Sequence, residues 1–189
     1  MLVGILALQG DFFKHANVIE LINKDYRFIK KEEDLSDIEA IILPGGESTA
    51  MKIIQKNQNL FIHIQTLINN NIPTLGTCAG AILLSSNMND ENNTNFNILN
   101  VSTERNAYGR QNESFEAKVS IDSLPKEKYC FIRAPKFMHI GDNVEVIADL
   151  EKEPVGVRQD NIVAFTFHPE LNPSPIYLNW LSEFLEKGK

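Results

Sequence analysis

The stretch that decides the fold is Pro73-Thr74-Leu75-Gly76-Thr77-Cys78-Ala79-Gly80-Ala81-Ile82-Leu83-Leu84. A short apolar run ends in Gly-Thr-Cys-Ala-Gly, and a small apolar segment that suits a helix follows. This order predicts a strand, a sharp turn and a helix, which is the nucleophile elbow G-x-S-x-G with cysteine in the serine position. A nucleophile on so tight a turn needs neighbours without bulk, and Gly76, Ala79 and Gly80 meet that need. Cys78 is therefore a candidate nucleophile.

The start of the predicted helix favours chemistry at Cys78. Free backbone N–H groups and the helix dipole stabilise an anion there, which suits both a thiolate and a developing oxyanion. The alternative is a cysteine packed as a small apolar side chain in a strand-to-helix turn. The rest of the chain has to decide between the two interpretations.

Composition bounds the class of protein. A chain of 189 residues with 43% apolar and 23% charged residues fits one globular domain over residues 1–189. The net charge is −7, and no basic cluster longer than Lys30-Lys31 is present, so we expect no nucleic-acid partner. The apolar start at residues 1–8 is too short to span a membrane and predicts a first strand. The two cysteines, Cys78 and Cys130, suit a reducing cytoplasm and not a disulfide framework.

Strand-like and helical segments alternate through the first half of the chain. Predicted strands are residues 2–8, 26–29, 40–43 and 74–77, and predicted helices are residues 12–22, 49–56 and 60–68. Apolar strands that alternate with helices indicate a parallel sheet with helices on both faces. In such a sheet the ligand lies at the carboxyl ends of the strands, where Gln9-Gly10, Gly45 to Ser48, and Cys78 all fall.

The second half is read mainly as strands. Residues 87–100 contain seven asparagines in fourteen and predict a solvated loop. Predicted strands follow at residues 115–121, 129–133, 144–148, 155–158 and 162–167, and an amphipathic helix at residues 174–187 closes the chain. The sequence thus predicts an α/β fold of three layers, with a mostly parallel central sheet, flanking helices and antiparallel additions.

A second candidate site is the segment Thr166-Phe167-His168-Pro169-Glu170. Proline holds His168 in an extended conformation, and residues two apart in an extended segment point to the same side. Glu170 can therefore fix the His168 ring so that its other nitrogen takes a proton from a thiol. A lone histidine at a strand end is more often structural, but a cysteine elbow upstream favours a catalytic role.

The third candidate is Pro44-Gly45-Gly46-Glu47-Ser48-Thr49. It lacks the spacing and the lysine of a phosphate loop. Two glycines after a strand let a backbone N–H point into the site, where an oxyanion needs a donor. The alternative is a turn followed by a Ser/Thr helix cap, which leaves the paired glycines unexplained.

Other polar residues give weaker signals. Arg105 and Arg133 can each clamp a carboxylate, although surface salt bridges explain them equally well. The histidines are scattered and the cysteines are not paired in a metal-binding motif, so no metal site is predicted. Cys130 lies between Tyr129 and Phe131 and is expected in the core.

Seven motifs together resemble the class I, or triad, glutamine amidotransferases, and more narrowly the glutaminase subunits of pyridoxal phosphate synthases. They are Leu-Gln-Gly at residues 8–10, Pro-Gly-Gly-Glu-Ser-Thr at 44–49, Gly-Thr-Cys-Ala-Gly at 76–80, Glu-Arg-Asn at 104–106, Tyr-Gly-Arg-Gln at 108–111, Ile-Arg-Ala-Pro at 132–135 and Phe-His-Pro-Glu-Leu at 167–171. Many other triad amidotransferases have glutamine four residues after the cysteine, whereas this chain has Ile82. The resemblance implies a flavodoxin-like class I amidotransferase fold.

The resemblance also implies hydrolysis of L-glutamine to L-glutamate and ammonia without a cofactor. Its residue roles are a Cys78, His168 and Glu170 triad, an oxyanion hole from the backbone of Ala79 and of Gly45 or Gly46, and glutamine binding by Gly46, Glu47, Ser48, Arg105, Ile132 and Arg133. The ammonia would pass to a separate (β/α)-barrel synthase subunit in a heteromeric complex that makes pyridoxal phosphate. Partner binding would complete the oxyanion hole, so the free subunit is expected to be nearly inactive.

Two other functions remain open at this stage. The chain can be the glutaminase subunit of another synthase, for example in histidine or purine synthesis, although Ile82 argues against this. It can also be a non-catalytic scaffold on the same fold, because fold alone does not imply function.

Overall fold

The computed structural model describes residues 1–8, 10–46, 58–86, 95–105, 107 and 114–186. The strands in this part of the chain are β1 Leu2–Leu6, β2 Asp25–Ile29, β3 Ala40–Leu43, β4 Thr74–Thr77, β5 Val101–Glu104, β6 Ser114–Val119, β7 Glu127–Ile132, β8 Lys136–Ile140, β9 Glu145–Leu150, β10 Glu153–Gln159 and β11 Ile162–Phe165. The helices are α1 Phe12–Leu21, α2 Gln58–Asn69, α3 Ala79–Leu84 and α4 Pro175–Glu186, with a 3-10 helix at Glu32–Leu35. None of the helices described has an apolar stretch long enough to cross a membrane.

The central sheet has the strand order β2-β1-β3-β4-β11-β10-β9. Its first five strands are parallel, and β10 and β9 add to one edge in antiparallel pairing. Strands β3, β4 and β11 are buried along their whole length, which requires a layer of structure on each face. The predicted mostly parallel sheet with antiparallel additions is confirmed.

Alternate residues of the sheet face two separate hydrophobic clusters. Ile42 packs into a cluster with α1 and α4, whereas its neighbours Ile41 and Leu43 pack into a cluster with α2 and α3. This alternation follows from the two-residue period of a strand. The result is the predicted arrangement of three layers, in which the helices of the described residues lie two on each face of the sheet.

The second half contains pairings that the apolar pattern did not predict. Strands β5 and β8 pair as a two-stranded sheet, and β6 and β7 form a second one. The predictions missed β5, β8 and the 3-10 helix, while the predicted helix at residues 49–56 lies outside the described residues. The first strand ends at Leu6 and not at residue 8.

Of the solvated loop predicted over residues 87–100, residues 87–94 lie outside the described chain. Residues 95–100 form no helix or strand, and Asn97 and Asn100 are exposed, but the segment also carries buried apolar side chains. Phe96 and Leu99 are 3% and 0% exposed, and the Phe96 ring stacks on Phe61 of α2 at 5.0 Å between centroids. Asparagines dominate the composition of this stretch, but the buried side chains of Phe96 and Leu99 cover the α2 face of the core.

Candidate active site

Cys78 lies on a sharp turn between β4 and α3. Its φ of 50° and ψ of −105° are rare for a residue with a side chain, and such strain is typical of a nucleophile elbow. Its N–H donates to the Phe165 carbonyl at 2.8 Å, and its carbonyl accepts from the N–H of Ala81 at 3.1 Å. The first bond ties the turn to the neighbouring parallel strand β11, and the second closes the start of α3.

Gly80 allows α3 to start this close to the sheet. A Cβ atom at position 80 would lie 1.9 Å from the Leu43 carbonyl oxygen, a distance that no real contact reaches. The backbone of α3 thus rests directly on β3. This explains why the residue two places after the cysteine is glycine.

His168 follows β11 and is held by both its backbone and its side chain. Its N–H donates to the Cys130 carbonyl of β7 at 2.9 Å. The preceding ring of Phe167 stacks between Tyr129 and Phe165, with 4.8 Å between centroids in both pairs. The His168 ring places Nδ1 2.7 Å from Glu170 Oε1, as the two-residue spacing predicts.

Cys78, His168 and Glu170 form one connected cluster, which we call the Cys78–His168–Glu170 cluster. The His168 ring is hydrogen-bonded to Glu170 on one side, and Cys78 lies close enough on the other to raise the pKa of the ring. Gly45 lies beside both reacting groups, because a Cβ at this position would be 2.5 Å from His168 Cε1 and 3.2 Å from Cys78 Cβ. The carboxyl ends of β3, β4 and β11 therefore meet at one site. Of the three turns predicted to form it, those at Gly45 and Cys78 meet there, Gly10 lies against the Gly45 carbonyl, and Gln9 lies outside the described residues.

The electrostatics of the cluster favour a protonated histidine. Burial lowers the pKa of His168, but hydrogen bonds and charge interactions with Cys78 and Glu170 outweigh it and raise that pKa to about 10. Burial raises the pKa of the Glu170 carboxyl, yet His15 and His168 hold it well below its usual range. Glu170 is thus an ionised, fully buried carboxylate that stabilises an imidazolium next to the thiol.

The residues predicted to form the oxyanion hole lie next to Cys78, whereas only some of those predicted to bind glutamine lie within the described residues. The Gly45 N–H donates to Thr77 Oγ1 at 3.2 Å, so in this conformation it is engaged within the protein. Ala79 is the first residue of α3, directly after Cys78. Gly46 is half-buried, while Glu47 and Ser48 lie outside the described residues.

Of the other predicted substrate residues, Ile132 contacts Cys78 through its backbone carbonyl. The Cys78 thiol Sγ lies 3.7 Å from the Ile132 carbonyl oxygen. Arg133 follows with a left-handed φ of 45° and is half-buried. Arg105 is an exposed residue in the turn after β5, and its role stays a prediction because residues 106 and 108–113 lie outside the described part of the chain.

The sequence reasoning missed two polar residues beside the cluster. His15 of α1 is 1% exposed, and its Nε2 lies 3.1 Å from Thr77 Oγ1 and 3.4 Å from Glu170 Oε1. The helical spacing of His15, Val18 and Ile19 was a usable signal, because it puts a histidine on the buried face of α1. No sequence pattern indicated a role for Thr77, because all residues of β4 are buried and none of them stands out from its neighbours.

A buried tyrosine also faces this region. Burial and the negative charge of Glu170 raise the pKa of Tyr177 well above its usual value. Within the described chain, its hydroxyl and Glu170 Oε2 are both buried without a hydrogen-bond partner. Glu170 therefore makes its polar contacts through Oε1.

An elbow cysteine joined to a buried histidine and carboxylate, at the carboxyl edge of a mostly parallel sheet, is the arrangement expected of class I glutamine amidotransferases. A family model described as the SNO glutamine amidotransferase family matches residues 5–186. The chain belongs to this family, and the predicted amidotransferase class of enzyme is confirmed.

Curated relatives and solved structures agree with this assignment. The chain is 43% identical over 185 residues to pyridoxal 5'-phosphate synthase subunit PdxT of Caldicellulosiruptor bescii, covering 97% of this chain and 96% of the relative. It is 40% identical over 172 residues to the PdxT subunit of Thermosipho africanus, covering 90% and 92%. A crystal structure of a glutamine amidotransferase has a TM-score of 0.87 at 36% identity, covering 97% of this chain and 98% of that one. PurLQS from Thermotoga maritima, with a TM-score of 0.73, coverage of 100% and 98%, and 14% identity, shares the fold alone.

Proposed function

We propose that this chain hydrolyses L-glutamine to L-glutamate and ammonia with Cys78 as nucleophile, His168 as proton carrier and Glu170 as the residue that orients His168. The observation that carries the proposal is the placement of Cys78 on a strained elbow, beside a His168 ring that is hydrogen-bonded to the buried Glu170 carboxylate. A structural cysteine needs neither the strained turn nor an ionised carboxylate behind its histidine neighbour.

The proposed reaction has two halves. The Cys78 sulfur attacks the side-chain amide carbon of glutamine, and the resulting tetrahedral intermediate collapses when His168 gives a proton to the departing ammonia. A glutamyl thioester remains on Cys78. Water then attacks the thioester, with His168 taking its proton, and L-glutamate leaves. Glu170 stays ionised throughout and stabilises the imidazolium, as its buried position and lowered pKa support.

Backbone amides of Ala79 and of the Gly45–Gly46 segment would stabilise the oxyanion. Support comes from Gly45, which lies against both His168 and Cys78. In this conformation the Gly45 N–H is engaged by Thr77. An incomplete oxyanion hole in the isolated chain agrees with activation by a partner. Glutamine itself would be bound by Gly46, Glu47, Ser48, Arg105, Ile132 and Arg133, of which Ile132 already borders the thiol.

We further propose that the ammonia passes to a (β/α)-barrel subunit of a pyridoxal phosphate synthase. Two relatives covering nine-tenths or more of the chain carry the name of that enzyme's PdxT subunit. The alternatives, a subunit of a histidine- or purine-pathway synthase or an inert scaffold, have weaker support, since the purine-related structure is only 14% identical. We expect the protein to act in the cytoplasm.

The test is glutamate release from L-glutamine by the chain alone and with a pyridoxal phosphate synthase barrel subunit. We expect strong stimulation by the barrel subunit, and loss of turnover in Cys78→Ala with the fold retained. Cys130→Ala is the matched control, because Cys130 contributes its carbonyl and not its thiol to His168. Turnover at wild-type rate in Cys78→Ala would refute the nucleophile, and full activity without the barrel subunit would refute the partner.

A further inference from the structure

His15 is a buried polar residue that the proposed reaction steps do not use. It lies on α1 among Ala16, Val18 and Ile19, all of them core residues, and it is 1% exposed. A leucine would fill this space without the cost of burying a polar ring. Its polar atoms therefore need an explanation in terms of what they contact.

One ring nitrogen of His15 reaches two other segments of the site. Nε2 lies 3.1 Å from Thr77 Oγ1 and 3.4 Å from Glu170 Oε1. An ionised carboxylate only accepts hydrogen bonds, so this nitrogen must carry a proton to stabilise Glu170. The His168 ring approaches the same oxygen, Oε1, from the other side at 2.7 Å. Oε1 is therefore flanked by two histidines: His168 makes the hydrogen bond to it, while His15 makes its hydrogen bond to Thr77 and lies within ion-pair distance of the carboxylate.

Thr77 extends this contact to the oxyanion segment. It directly precedes Cys78, is 0% exposed, and its hydroxyl oxygen accepts the Gly45 N–H at 3.2 Å. Gly45 in turn borders both Cys78 and His168. His15 thus contacts the carboxylate behind the proton carrier and also the hydroxyl that holds the glycine segment.

We infer that His15 is a positioning residue that couples the orientation of Glu170, through Thr77, to the placement of the Gly45 segment beside the nucleophile. The inference rests on the proposed function only for its effect on turnover. The coupling itself also predicts an altered reactivity of the Cys78 thiol, which can be measured without glutamine.

The test compares His15→Leu, which fills the space without a donor, with His15→Gln, whose side-chain amide can donate from a similar place. In the complex with the barrel subunit we expect His15→Leu to lower kcat about 10- to 100-fold with KM within about threefold, and His15→Gln to recover most of kcat. His63→Gln is the control, since His63 is exposed and bonds to the Asn59 carbonyl within α2.

Alkylation of Cys78 by iodoacetamide at neutral pH separates this inference from the proposed function. We expect the rate to fall at least about threefold in His15→Leu and to return in His15→Gln, whether or not the wild-type chain hydrolyses glutamine. Melting temperatures are measured for all variants. Equal kcat and alkylation rates in His15→Leu and wild type would overturn the inference, as would losses in both variants that simply follow their melting temperatures.

If His15→Leu fails to fold, Thr77→Val tests the same contact. It removes the hydroxyl shared by His15 and Gly45 while keeping a β-branched side chain in β4. We expect a fall in kcat of about tenfold or more, and an unchanged kcat in the folded variant would overturn the inference.

Discussion

Gly45→Ala is the substitution that most directly tests the close packing of Gly45 against His168 and Cys78. Gly45 does not have the left-handed φ that disfavours alanine, so the added methyl group acts only through the space it fills. That methyl would lie 2.5 Å from His168 Cε1 and 3.2 Å from Cys78 Cβ. Carbon atoms in contact prefer about 3.5 to 4.0 Å, so the His168 ring or the Gly45 segment must move by about 1 Å.

A displacement of this size has different effects on activity and stability. A 1 Å misplacement of reacting groups costs about 100-fold in rate, because the His168–Glu170 bond of 2.7 Å would be stretched or the thiol turned away. Overpacking by one methyl costs about 1–3 kcal/mol in the free energy of unfolding. We therefore expect kcat of Gly45→Ala to fall about 100-fold while the chain stays folded.

The assay is glutamate release at saturating L-glutamine in the presence of the barrel subunit, with thermal unfolding measured in parallel. Gly4→Ala is the matched control, because its methyl would lie 2.6 Å from Ile29 Cδ1 and 3.0 Å from Ile38 Cγ2, both ends of flexible side chains in the core. We expect it to change stability and not kcat. A Gly45→Ala protein with kcat within about threefold of wild type would refute the placement of His168 in the reaction, since the expected loss is about 100-fold.

Three further predictions follow from the same structure. Glu170→Gln is expected to lower kcat at least about tenfold, but less than loss of the nucleophile, because Glu170 orients and does not react; an unchanged kcat in the glutamate-release assay would remove it from the mechanism. The folded-state pKa of His168, about 10, lies above its ordinary 6.5. Protonated His168 therefore adds to the free energy of unfolding in full below pH 6.5, and this contribution is lost as the pH rises through about 10. Urea unfolding of the wild type is expected to show this loss relative to His168→Gln, and parallel pH curves would contradict it. Asp122 accepts from Trp180 Nε1 at 2.6 Å and also pairs with Arg158, so Asp122→Ala, which removes the acceptor, is expected to lower the free energy of unfolding by about 1–2 kcal/mol with kcat retained. An unshifted urea midpoint would count against a stabilising role for these contacts.

The parallel half of the fold could be predicted because its strands are short apolar runs with clear stops. Strands β3 and β4 have the predicted bounds, since Pro44 ends the first and the cysteine elbow ends the second. Such strands are buried on both faces, and their composition alone identifies them. The amphipathic closing helix, α4, likewise begins and ends within one residue of its predicted bounds.

Strands β5 and β8 could not be predicted because each buries a single side chain and neither shows a regular pattern of buried and exposed residues. Only Val101 is buried in β5 and only Phe137 in β8. Their partner strands are each other, more than thirty residues apart along the chain, in a two-stranded sheet. Local composition carries no information about such a pairing, and tertiary contacts decide it.

The candidate site likewise contains residues that the sequence predicts and residues that it does not. Cys78, His168 and Glu170 stand out because a turn or a proline fixes the backbone next to each reacting group. His15 is about sixty residues from Thr77 along the chain, and only the packing of α1 against the sheet brings them to 3.1 Å. The helical spacing of α1 could have indicated that His15 is buried, but not which residues it would contact.

The most direct test of the central claim is covalent labelling with an electrophilic ketone analogue of L-glutamine in the presence of the barrel subunit, followed by peptide mass mapping. The chain supplies its own control, because its two cysteines are Cys78 and Cys130. We predict a single label on Cys78, protected by L-glutamine and lost in His168→Gln, with Cys130 unmodified. Labelling of Cys130 alone, or equal labelling of both thiols without protection by L-glutamine, would contradict the assignment of Cys78 as the nucleophile of a glutaminase.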